Sequence, residues 1–487
     1  MKILVIGLDG AAPEILFTDE RLTNIRRLMN FGCYGQLESV IPATSVPTWM
    51  CMATSQDPGS LGVYGFLNRI DYSYNNFRMA SSEAIEGIAI WDQVARAGKQ
   101  SIIIGVPPSY PPLKVNGIFV GYSPKPDTMD TMFTYPGCIK EELGKIEEEY
   151  PARNWDLPTD TKDNLKDDIY TMSRKQFAVV RHFLQSYEWD YFQFVEIGLD
   201  RIQHSFWQFH DPRHLLYKPG NPYESVICDY YLYLDNEIGK IFDLVDDDTA
   251  ILIVSGYGAQ RNDGGFYINE WLVKEGLLVL NEYPRKITPF NKLNVNWGKT
   301  KVWSEGGYCA QVFINVKGRE PRGTIDNVDY ENFRNEIKEK LEKILDGKSE
   351  SLGHFVFKPG EIYKTVFNEA PDLLISLGGL YWHSLDSVGQ RTVYTQEMEA
   401  GIGGCTHGPF GSFILAAPNS LLRGEVEGAH LLDVSPTLLE LGGYDIPRSM
   451  QGKSLMGGKK LEEATDSDYS GDEKEAIRQR LKGLGYI

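Results

Sequence analysis

Short apolar runs rich in β-branched residues recur along the chain, at 2–7, 101–106, 191–197, 250–255 and 412–416. They are continuous rather than alternating, as strands buried on both faces are. Between them lie stretches with apolar positions at helical spacing, at 24–30, 90–97, 168–185, 223–245 and 330–345. This order predicts an α/β fold with a mainly parallel central sheet and helices on both faces. The pattern changes from about 261 to 400, where Gly, Pro, Asn and aromatic residues are frequent and the β-like pieces shorten. That region reads as an inserted cap over the sheet edge, with 1–260 and 401–487 forming the core. The tail is charged and helical in pattern at 463–480, and its apolar end at 481–487 predicts docking onto the body.

Composition narrows the function. The 487 residues carry a formal charge of −18, which argues against a broad nucleic-acid-binding face. A small phosphate-bearing substrate stays open, because a metal ion can supply local positive charge. No run reaches the ~18 apolar residues of a membrane helix, and the first residues read as a strand rather than a signal peptide. The six cysteines are scattered without CxxC spacing, which predicts reduced thiols and a cytoplasmic location.

Four segments could carry chemistry. Asp9 follows the first strand, at the carboxyl edge where open α/β sheets bind ligands. Thr44 and Ser45 stand just before Pro47 at a predicted helix start. Either hydroxyl could cap that helix, or act as a nucleophile where backbone N–H groups favour a phosphate. Asp200 and His204 are spaced i, i+4 after a strand, so one helix face presents both to a cation. His407 lies in a Gly-rich stretch, at 403–411, of a chain with only eight histidines.

The order of these pieces resembles the alkaline phosphatase superfamily, and within it the type I phosphodiesterase/nucleotide pyrophosphatase-like family. The text around 200–207, 269–278, 318–321, 432–438 and 484–486 adds to the likeness. The resemblance implies two divalent metals, commonly zinc, beside a Ser or Thr nucleophile. Ser45 is then the nucleophile, with Thr44 second. Asp200, His204 and His407 hold one metal. Asp9 holds the other, together with the nucleophile oxygen and an Asp-His pair that follows a mid-chain strand.

This chain departs from the pattern at that pair. Gly256-Tyr257-Gly258 follows the strand at 250–255. Glycine offers no ligand atom, and a phenol of reference pKa ~10 is a poor zinc ligand at neutral pH. Asp263 is the nearest substitute. The expectation is a metal-dependent hydrolase of phosphodiester or pyrophosphate bonds with a degraded second metal site. Its substrate would be a nucleotide, a nucleotide sugar or a similar phosphate-bearing molecule. The alternative is a non-catalytic or repurposed member that binds a phosphorylated ligand or catalyses a different transfer.

Overall fold

The run at the start of the chain forms the strand Ile3–Leu8, and its side chains divide between two cores. Leu4, Ile6 and Leu8 enter one apolar cluster while Ile3 and Val5 enter another. A strand with both faces buried has no solvent side on which to place polar residues, hence the unbroken apolar run. The computed structural model describes residues 1–121, 132–146, 161–344, 353–396, 404–418, 420 and 422–457. The docking expected of the tail lies outside these residues. Residues Met1–Met456 form one compact unit.

The strand Ile3–Leu8 sits inside a ten-stranded sheet. Its neighbours Tyr191–Glu196 and Ala250–Ser255 run parallel to it. Beyond Tyr191–Glu196 come Ser101–Ile104 and Gly117–Val120, also parallel. On the other side Phe410–Ala416 pairs antiparallel with both Ala250–Ser255 and Cys33–Glu38. The sheet is therefore mostly parallel, with helices on both sides. Thr23–Phe31, Lys162–Ser186, Gly198–His210 and Val226–Phe242 supply one core. Ser45–Thr54, Ile90–Arg96 and Val434–Gly442 supply the other.

The region that breaks the sequence pattern builds sheets of its own. Val302–Glu305, Cys309–Ile314, Leu373–Ser376 and Phe355–Phe357 form a four-stranded antiparallel sheet. Gly264–Tyr267 joins Trp382–Leu385 and Tyr394–Thr395 in a three-stranded one. A separate apolar cluster, including Leu272, Trp303, Phe313 and Leu373, fills this region. Among the described residues no helix is long and apolar enough to cross a membrane.

Candidate active site

Asp9 is the first residue past its strand, and its N–H donates to Glu196 O of the neighbouring strand at 3.0 Å. Gly10 then turns the chain with φ of 71°. A Cβ at Gly10 would lie 2.9 Å from Asp200 Oδ1, so the tight approach needs glycine as much as the positive φ does. The Asp9 carboxylate is 2% exposed. Its Oδ1 accepts from Trp49 Nε1 and its Oδ2 from Ser45 Oγ, each at 2.8 Å. Burial, and then the charge of Asp200, push the carboxyl up to about 7.

Ser45 is the first residue of the helix Ser45–Thr54 and Trp49 lies one turn on, so both face Asp9. Thr44 holds the N-cap position without making a capping bond, and its hydroxyl is buried with no hydrogen-bond partner. Neither hydroxyl caps the helix. Ser45 turns to the carboxylate instead.

Glu196 fixes the second segment. Its two oxygens accept from the N–H groups of Gly198 and Leu199, at 2.8 and 3.0 Å, at the start of the helix Gly198–His210. A carboxylate there satisfies otherwise orphaned donors and complements the helix dipole. Asp200 and His204 follow on one face. His407 arrives on a strand rather than a loop. Cys405–Gly408 pairs antiparallel with Gly258–Arg261, and His407 stands opposite Ala259. His407 Nδ1 lies 3.1 Å from the Ala43 carbonyl, which can only accept. The proton therefore sits on Nδ1, and the Nε2 lone pair of the neutral ring is free to bind a metal.

The three side chains bring their ligand atoms together. His204 Nε2 and His407 Nε2 are 3.2 Å apart, and each is 3.5 Å from Asp200 Oδ1. A tetrahedral ion with ligands at ~2.0–2.1 Å separates them by about 3.3 Å, so the triangle fits a zinc-like cation. Electrostatics agree. Despite burial, the two histidines hold the Asp200 carboxyl below the usual range. Burial pushes His407 down. Burial also opposes charge on His204, but Cys405, Tyr308 and Asp200 outweigh it and raise that imidazole well above 6.5. The triangle thus pairs an ionised Asp200 with a charged His204 beside a neutral His407. The His407 ring is sandwiched, with Tyr308 stacked at 3.8 Å and Tyr257 at 4.1 Å. The Tyr308 hydroxyl lies 3.2 Å from His204 Nε2.

Asp9 stands outside this triangle, against Ser45 and Trp49. Asp263 is paired with Arg261 at 2.6 Å. Gly256 and Tyr257 follow the strand Ala250–Ser255 at the same end of the sheet as Asp9. Tyr257 is fully buried, and its hydroxyl donates to Asp200 Oδ1 at 3.2 Å. Among the described residues, Asp200, His204 and His407 are the one group of three or more such side chains close enough to share an ion. Sequence reasoning passed over Trp49, although its i+4 spacing from Ser45 was a usable signal. It also passed over Tyr308, which carries no local signal.

The model of the family type I phosphodiesterase/nucleotide pyrophosphatase matches residues 3–403, ending just before His407. The fold is similar to that of murine ectonucleotide pyrophosphatase/phosphodiesterase 5, with a TM-score of 0.50 and 14% identity, over 92% of this chain and 96% of that one. The same figures hold for its inactive form in complex with AMP. Phosphonoacetate hydrolase from Sinorhizobium meliloti, in complex with phosphonoformate, gives a TM-score of 0.54 at 14% identity, over 91% of this chain and 95% of that one. At such identity these likenesses concern the fold alone. No curated protein matches the sequence. The family match spans most of the sheet, the Ser45 helix and the Asp200–His204 helix, and the chain belongs to the type I phosphodiesterase/nucleotide pyrophosphatase family.

Proposed function

We propose that this protein hydrolyses phosphodiester or pyrophosphate bonds in small molecules such as nucleotides or nucleotide sugars, using Ser45 and one divalent cation, zinc in the first instance. The observation that carries the reading is the Asp200–His204–His407 triangle, dimensioned for a cation and joined to the serine segment by the His407–Ala43 hydrogen bond. A cation there would supply positive charge for a phosphoryl oxygen. The protein's own groups do the rest. Ser45 Oγ attacks phosphorus and passes its proton to Asp9 Oδ2, 2.8 Å away. The bond to the leaving oxygen breaks, and water then cleaves the serine ester to restore Ser45. Trp49 holds Asp9 in register, and the start of the Ser45–Thr54 helix favours the anion. The inserted region, about 261–400, acts in this reading as the substrate-selecting cap, and residence in the cytoplasm completes it.

The test is turnover of aryl phosphodiesters, dinucleotides and nucleotide sugars by metal-loaded protein. Loss of Ser45 or His407 should lower kcat/KM at least ~100-fold. A wild-type protein with metal bound that is no faster than His407→Ala at the same metal concentration would remove the hydrolase reading. The buried Tyr257 in the second-pair position favours one other reading, a member that binds a phosphorylated ligand without turnover. That reading predicts thermal stabilisation by nucleotides with no product formed.

A further inference from the structure

We propose that Tyr257 and Thr48 fill the room a second cation would need beside Asp9 and Ser45, so that this protein holds one divalent ion per molecule. The inference rests on the triangle of the preceding reading and adds what occupies the other position.

Tyr257 is the plug. Its hydroxyl meets Asp200 Oδ1 at 3.2 Å and also bears on Asp9 and Ser45. Those three groups are the ones that would face an ion between the triangle and the serine. The phenol satisfies them with a hydrogen-bonding hydroxyl instead of a dication. Its ring is fully buried against His407, at 4.1 Å between centroids, and has no open space to swing into.

Thr48 closes the remaining room. An ideal Cβ at position 256 would lie 2.8 Å from Thr48 Cβ and 3.0 Å from Thr48 Oγ1. Thr48 is wholly buried, and its hydroxyl donates to Ser45 O at 3.0 Å within the helix. The obstacle is a branch point on a rigid helix, not the tip of a flexible side chain. A carboxylate cannot enter at 256 while Thr48 remains. Asp9, for its part, already accepts a 2.8 Å hydrogen bond on each oxygen. Gly256, Tyr257 and Thr48 therefore form one set. Restoring an acid and an imidazole by Gly256→Asp with Tyr257→His is insufficient. Thr48→Gly is needed as well, because the closest atom is the Cβ that alanine would keep.

The experiment loads wild type, the double variant Gly256→Asp/Tyr257→His and the triple variant that adds Thr48→Gly. Each is equilibrated with Zn2+ for elemental analysis, and with Mn2+ for electron paramagnetic resonance. One ion per chain is expected for wild type and double, with an isolated-ion Mn2+ spectrum. Two ions and a spin-coupled spectrum are expected for the triple. Two ions in wild type would overturn the proposal, as would two in the double or one in a folded triple. If the double fails to fold, recovery of folding in the triple supports the clash at Thr48, and no recovery overturns that part. If neither variant folds, the wild-type count decides. One ion without turnover would leave this inference standing and remove the hydrolase reading. Two ions with turnover would do the reverse.

Discussion

Replacing His407 by alanine separates what the imidazole does for the fold from what it does for a cation. The ring stacks on Tyr308 and Tyr257, and its Nδ1–H donates to Ala43 O. Aromatic pairs contribute ~0.5–1.5 kcal/mol each and a hydrogen bond about 1 kcal/mol. Without metal, the variant should therefore be ~2–4 kcal/mol less stable. The cation adds a separate increment. At 100 times its dissociation constant a bound ion stabilises by ~2.7 kcal/mol. With one of three ligands gone, that increment should vanish at the same metal concentration. Urea unfolding of both proteins, with chelator and with Zn2+, reads the two quantities independently. Wild type should gain ~2–3 kcal/mol from Zn2+ while His407→Ala gains nothing from a lower baseline. A variant that kept the wild-type gain would show that the ion binds elsewhere, and the triangle would lose its meaning as a metal site.

Trp49→Phe should lower kcat roughly 10-fold, equivalent to ~1.4 kcal/mol of barrier, with little change in KM, because it loosens Asp9 without touching substrate. Equal losses in kcat and binding would count against a positioning role. Gly256→Ala should cost ~1–3 kcal/mol by overpacking against Thr48, and a Thr48→Gly background should recover most of it, as a double-mutant cycle in urea would reveal. His354 gives a pH prediction. It is 6% exposed, its Nδ1 accepts from the Gly378 N–H, and burial pushes it down from 6.5 to about 4. The folded protein then binds fewer protons there than the unfolded chain, so stability falls as pH drops from 6.5 towards 4. The full loss is about 3 kcal/mol, and His354→Asn should remove that share of the acid slope.

The parts of this protein legible in its sequence are those set by local periodicity. The strand at 250–255 and the helix around 168–185 were visible because apolar spacing reports burial directly. Asp200 and His204 were visible for the same reason, since one helix face suffices to bring them together. What depends on distant chain segments was not legible. The stretch around His407 reads as a glycine loop, but it is a strand because Cys405–Gly408 finds Gly258–Arg261. Gly256-Tyr257 reads in the sequence only as two positions without good metal-ligand atoms. That Tyr257 and Thr48 occupy the space follows only from packing between a sheet end and a separate helix. The segment at 318–321 likewise gains its meaning from tertiary contacts. Arg319 makes two 2.8 Å bonds to Asp372, and buried Glu320 accepts from Arg69 at 3.0 Å, which ties the hairpin Leu67–Met79 to the segment around Glu320.

The most direct test of the central claim is a single-turnover reaction of metal-loaded protein with a phosphodiester, quenched in acid and mapped by peptide mass spectrometry. The account predicts a covalent phosphoryl or nucleotidyl mass on Ser45 that is absent from Ser45→Ala and His407→Ala. An adduct on Thr44, or undiminished hydrolysis by Ser45→Ala, would contradict it.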